Sequence, residues 1–242
     1  MGEYSSITRT GKHEPFGLHV KRGYVQGHSV INKFGAATVS AVEEPIWDGN
    51  SNYVYPSSAA VLGVVGTSTT DNSQITIQGV DADYNFVSNI VTLNGTTSVN
   101  TSASYLRAYR AFVSDDNEPA GDVTIRHSGT TVAKILEGEG QTLMAIYTVP
   151  AGFTGYLYQL NVGSGTESQN KYVTFKLRTR EQGGIFRTKQ KFNIQGGNII
   201  QEFDFPLKIT EKTDIELTAQ SSSNDQDVHG LFELLLIENE SV

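Results

Sequence analysis

KYVTFKLRT, residues 171–179, decides the fold class. Val173, Phe175, Leu177 and Thr179 alternate with Tyr172, Thr174, Lys176 and Arg178. A period of two puts one set on each face of a strand, so this segment predicts a half-buried strand with its basic side outward. The same pattern recurs around it, in TLMAIYTVP (142–150), TGYLYQLNV (154–162), GIFRTKQKFNI (184–194), NIIQEFDFPLKI (198–209), TDIELTAQ (213–220) and VHGLFELLLIE (228–238). That density leaves no room for an ordinary helix between strands and suits a jelly roll or a related two-sheet sandwich.

Upstream, VLGVVG (61–66), SQITIQGV (73–80), FVSNIVTLNGTT (86–97), SYLRAYRAFV (104–113), DVTIRH (122–127) and TVAKIL (131–136) are short runs broken by Gly, Asn and Asp. Spacing of this kind predicts a sandwich of antiparallel strands. Leu106, Tyr109 and Phe112 also fit one helical face, but strand neighbours and aromatic content favour strand. EGEGQ (137–141) separates the two series. The expectation is therefore all-β: a first β-sandwich domain over 41–137 and a second, jelly-roll-like one over 138–242. Trp47, in the Pro-bounded segment 43–56, is expected to plug one end of a sandwich.

Residues 1–40 differ, with six glycines, little apolar periodicity and scattered aromatics at Tyr4, Phe16, Tyr24 and Phe34. They are expected to form an extended N-terminal arm that buries those rings against a neighbouring subunit. Net charge is −8 over 242 residues, split as +3 for 1–40, −8 for 41–140 and −3 for 141–242. A basic leader on an acidic body suggests docking on an acidic surface. The expected partner contacts are Phe16, Lys21, Arg22, Tyr24, Lys33 and Phe34.

Composition removes much chemistry. There is no Cys, which excludes disulfides, thiolate metal sites and a cysteine nucleophile. No run approaches a membrane span, and the start MGEYSSITRTGKHEPFG lacks an apolar signal core. Asp81, Asp83 and Asn85 open like a calcium loop, but Phe86 and Thr92 stand where an EF-hand needs Gly and a bidentate acid, so a capped turn is expected. His127 and His229 fit strand-end positions better than a base, and no G-x-S-x-G elbow, phosphate loop or facing carboxylate pair is present. The expectation is a protein without catalysis, metal or cofactor, and with pI about 5.1 not a nucleic-acid binder.

Several strings in order, NKFGAATVSAVEEPIWDG (32–49), YVYPSSAAVL (53–62), ITIQGVDADYNFVSNIVTLNGTT (75–97), SYLRAYRAFV (104–113), GQTLMAIYTVPAGFTGYLYQL (140–160), GGIFRTK (183–189) and FPLKITEKTDIELTAQSSSN (205–224), resemble a group of tailed-bacteriophage virion structural proteins of aquatic phages. The resemblance runs from about Asn32 to Ile237. It implies a structural component rather than an enzyme, most simply a capsid decoration or cement protein. Such a protein would bind the major capsid protein as a homotrimer, assemble in the host cytoplasm and end on the capsid surface. Tyr156 and Tyr158 are read either as trimer contacts or as ordinary core packing, and the alternative function is a neck, tail or fibre component that adsorbs to host glycan through the Tyr-rich TGYLYQL (154–160) or through SSSNDQD (221–227).

Overall fold

A computed structural model describes residues 14–49, 52–165, 171–223 and 225–240. From the N-terminus come helix α1 (Phe16–Lys21), strand β1 (His28–Val39) and the two-residue β2 (Glu44–Pro45). Seven strands follow: β3 (Ala60–Gly66), β4 (Gln74–Val80), β5 (Phe86–Thr92), β6 (Val99–Tyr105), β7 (Arg107–Val113), β8 (Val123–His127) and β9 (Thr130–Ile135). The last seven are β10 (Ile146–Thr148), β11 (Phe153–Ser164), β12 (Val173–Arg180), β13 (Arg187–Ile194), β14 (Gly197–Ile209), β15 (Asp214–Ser221) and β16 (Gln226–Glu238).

One sandwich pairs a sheet of order β1-β16-β11-β14 with a sheet of order β10-β15-β12-β13, and β2 also pairs with β15. Lettered B to I in chain order, with β2 and β10 together as C, these sheets run B-I-D-G and C-H-E-F, the jelly-roll order of two Greek keys. The remaining strands make sheets of order β6-β3-β8-β9 and β5-β4-β7. This second unit is not N-terminal to the jelly roll but inserted into it. The chain leaves strand C after Ile46 and rejoins it at Ala145, where the Ala145 N–H donates to the Ile46 carbonyl at 2.9 Å.

Two sequence expectations are corrected here. First, the boundary near 138 does not separate two consecutive domains: the jelly roll takes residues from both sides of the insert. Second, residues 28–39 are not an arm; they pair with β16 over their full length, from His28↔Ile237 to Val39↔Gln226. The partner strand lies some 200 residues away, so no local periodicity signals it. Residues 1–13 of the expected arm, with Tyr4, lie outside the described residues. SASYLRAYRAFV is strand, as expected, but divided at Leu106 into β6 and β7.

Trp47 is 1% exposed and plugs the insert at its junction, bridging Met144 and meeting the Tyr53 ring edge-on at 5.3 Å. The insert core is formed by residues such as Leu62, Ile75, Ile77, Tyr105 and Ile125, and the jelly-roll core by Leu157, Leu160, Phe175, Leu177, Phe232 and Leu234. Val80, Tyr84, Leu106 and Tyr109 of the insert belong to the jelly-roll core, so the two units share apolar packing.

Candidate interaction surfaces and the buried charge network

The outward side of β12 is only partly open to solvent, with the Lys176, Arg178 and Arg180 side chains 23%, 27% and 23% exposed. Register sets Lys176 beside Thr218, Arg178 beside Glu216 and Arg180 beside Asp214 on β15, so a basic row lies against an acidic one. The insert reaches this ladder at its Asp214 and Glu216 end, through Arg107 and Tyr55. Arg107 on β7 grips Asp214 with both forks, Nε to Oδ1 at 3.0 Å and Nη2 to Oδ2 at 3.1 Å. Asp214 also accepts from Thr148 Oγ1 at 2.7 Å and from Arg180. Glu216 accepts from Arg178 and, at 2.7 Å, from the Tyr55 hydroxyl. Glu43 accepts from Lys176, Arg178 and Thr218.

Electrostatics follow from burial and partners. Burial pushes the Glu43 carboxyl up, but bonds from Lys176 and Thr218 and the nearby Arg178 outweigh it and hold it below the ordinary carboxylate value. Deeper burial wins at Glu216, whose carboxyl is raised despite Arg178. Burial and the neighbouring Glu216 push the Tyr55 phenol well above its usual value. Arg180 lies over the Tyr55 ring at 4.3 Å and the Phe186 ring at 4.5 Å, which fixes its fork. A network with this degree of saturation is a clamp between two sandwiches. Sequence reasoning took the basic side of β12 to be a solvated face; the signal missed was the matching alternation Asp214, Glu216, Thr218 on β15.

The expected contact residues divide. Phe16, Tyr24 and Phe34 are 44%, 61% and 38% exposed, and Lys21 is exposed at the end of α1. Arg22 is engaged within its own segment, bonded to Glu14 at 2.7 Å and to the Tyr24 hydroxyl at 2.9 Å. Lys33 is a correction: it is 6% exposed and donates to the Tyr109 carbonyl, so it cannot meet a partner's acids. β1 turns Lys33 inward under the insert, while Asn32 and Phe34 face outward.

Phe34 belongs to a larger surface that sequence reasoning did not assemble. Across the outer face of the β1-β16-β11-β14 sheet, register aligns Phe34, Leu231, Asn161 and Ile200 in one row and Val30, Leu235, Tyr156 and Lys208 in another. Between them runs the polar row Asn32, Glu233, Gln159 and Glu202. At the β14 edge the ladder slips from Leu157↔Leu207 to Gln159↔Glu202, so residues 203–206 bulge out opposite Tyr158 alone. Phe205, on this bulge, is 80% exposed, and Pro206 beside it blunts the edge against strand addition. Tyr158 hydrogen-bonds Glu233, and burial together with that carboxylate pushes its phenol up to about 12. It is half-buried on the sheet, whereas Asn224 of the other proposed glycan loop lies outside the described residues.

Asp81, Asp83 and Asn85 form the expected capped turn: Asp81 Oδ1 accepts from the Asp83 and Asn85 N–H groups, each at 2.9 Å. Among the described residues no three His, Asp or Glu side chains are grouped to hold a metal, and no helix is long and apolar enough to cross a membrane.

No family model matches this chain, and no curated protein matches it. Solved structures that it resembles include chains of infectious bursal disease virus. For the Gx strain the identity is 9%, covering 88% of this chain and 77% of that chain, with a TM-score of 0.25. For the Gt strain the identity is 12%, the coverage 88% and 73%, and the TM-score 0.21. For T=1 particles derived from the virus the values are 10%, 90% and 75%, and 0.19. TM-scores of this size leave the reading of this chain to rest on its own residues.

Proposed function

We propose that this chain is a virion structural protein that works by contact, a capsid decoration protein bound to the major capsid protein. One observation carries the reading. The charged ladder of β12 and β15 is engaged from the chain's own insert by Arg107 and Tyr55, whereas the outer face of the opposite sheet carries a row that runs from exposed Phe34 through Leu231 and Asn161 to exposed Ile200. An antiparallel sheet with one solvated face ordinarily alternates apolar-in and polar-out, and rows of this kind mark an interaction surface. The N-terminal segment adds exposed Phe16 and Tyr24 and the free charge of Lys21 beside that face. The phage resemblance of the sequence agrees with this, and a trimer on the capsid would bury the rows between neighbours.

The test is co-sedimentation with undecorated capsids. The intact chain is expected to saturate them, and a chain lacking residues 1–27 or carrying F34E and I200E to bind at least tenfold more weakly while keeping its circular dichroism. Removal of residues 1–40 is the wrong truncation, since it takes β1 out of the jelly roll. Undiminished binding by both variants would overturn the reading. Gold-labelled antibody on intact virions supplies the position: label over the head supports decoration, and label confined to neck or tail would make the chain an adsorption component instead.

A further inference from the structure

A cleft of about 620 Å³ lies at the seam between insert and jelly roll. The 55–59 segment, Tyr84 and Arg107 form one wall, the 180–184 turn and Asp214 the other. Its volume falls in the range of small-molecule sites. The groups behind the wall are saturated, as described for Asp214 and Arg107. Those in front are open to a ligand: the Ser57, Ser58 and Gln182 side chains are exposed, and among the described residues neither they nor the Tyr84 hydroxyl have a side-chain hydrogen-bond partner within the chain.

Tyr84 is held there at a cost. It is a bulky residue at φ 68°, a region that side chains rarely adopt, and the Asp81-capped turn keeps it in place. That turn aims a buried ring, 6% exposed, at the cleft. Formal charges in the lining cancel, Arg107 and Arg180 against Asp214 and Glu181, so the cleft does not favour an ion. The Glu181 carboxylate and the Gln182 amide match vicinal hydroxyls, and Pro56, Ala59 and Leu106 offer apolar wall for a sugar's C–H face.

We propose that this seam cleft binds a neutral saccharide unit through Tyr84, Ser57, Ser58 and the 180–184 turn. The site is distinct from the outer face that the decoration reading uses, and stands whether or not that reading does. The experiment is saturation-transfer NMR on the full chain with the methyl glycosides of glucose, galactose and mannose, with glucuronate and inorganic phosphate as anionic controls. At least one glycoside is expected to bind, and Y84F and Q182A each to weaken it about fivefold, the effect of one lost neutral hydrogen bond. Both variants are expected to keep the parent melting temperature, because the groups removed have no internal partner. The proposal is overturned if no glycoside binds, if binding is indifferent to both substitutions, or if only glucuronate or phosphate binds.

Discussion

Arg107, on the insert, and Asp214, on the jelly roll, form a bidentate pair across the seam, with both side chains under 10% exposed. Removing one partner of such a pair leaves a buried charge short of donors. R107M is therefore expected to lower stability by about 3 kcal/mol in urea unfolding. A loss under about 0.5 kcal/mol, the scale of an ordinary surface substitution, would show that Arg180 and Thr148 alone suffice for Asp214.

That pair also shows what sequence can and cannot deliver. The strand content, the alternation in 171–179 and the capped turn at Asp81 are local patterns, and local patterns are legible. The insertion is not, because β3 to β9 obey the same period-two rule as the strands they interrupt, and nothing in EGEGQ marks a return to strand C. β1 was hidden for a different reason: its inward positions include Lys33 and Gly35, which break the apolar alternation. The two exceptions have different causes: the insert sits over β1 and takes the Lys33 ammonium on the Tyr109 carbonyl, and the backbone of strand C at Ile46 and Ala145 presses on Gly35.

Gly35 gives the second prediction. A Cβ there would stand 2.4 Å from the Ile46 carbonyl oxygen and 2.5 Å from the Ala145 nitrogen, backbone atoms at the two ends of the broken C strand. Neither can withdraw without separating the insert's connections from β15. G35A is expected to cost more than about 3 kcal/mol, beyond the usual range of single substitutions. Thermal denaturation at parental midpoint would mean that β1 can shift.

The third concerns pH. Burial, with the nearby Arg110 charge, lowers the Lys33 ammonium from 10.5 to about 7, with Asp48 opposing. Burial raises the Asp48 carboxyl from 3.8 to about 7, against the Leu143 N–H and the charges of Lys134 and Lys33. For Asp48 the folded chain holds the proton more tightly, so stability is lost as pH rises from about 4 to 7. For Lys33 the unfolded chain holds it more tightly, so stability is gained from about 7 to 10.5. The melting temperature is expected to pass through a trough near neutrality. D48N should flatten its acid limb and K33M its alkaline limb; a profile unchanged by either would refute the assignment.

The last prediction tests the insertion itself. β15 pairs Ala219 with Glu44 and Thr218 with Pro45 on one side of the break, and Glu216 with Ile146, Ile215 with Tyr147 and Asp214 with Thr148 on the other. Leu217 lies between, donating to Ala145 and accepting from Ile46. Joining Ile46 directly to Ile146 therefore keeps a one-to-one register along a continuous C strand. Such a chain is expected to fold as a jelly roll, because most of that core comes from its own strands. It should melt well below the parent, since Asp214 loses Arg107, Glu216 loses Tyr55, and Ile146 loses the insert core it joins. The excised segment 47–144 retains Trp47, Met144 and nearly all of its core and is expected to unfold cooperatively on its own. Circular dichroism on both pieces decides the matter: a cooperative strand signal from each establishes a jelly roll carrying an inserted domain, and loss of structure in either would mean that the shared packing of Val80, Leu106 and Tyr109 makes one indivisible folding unit.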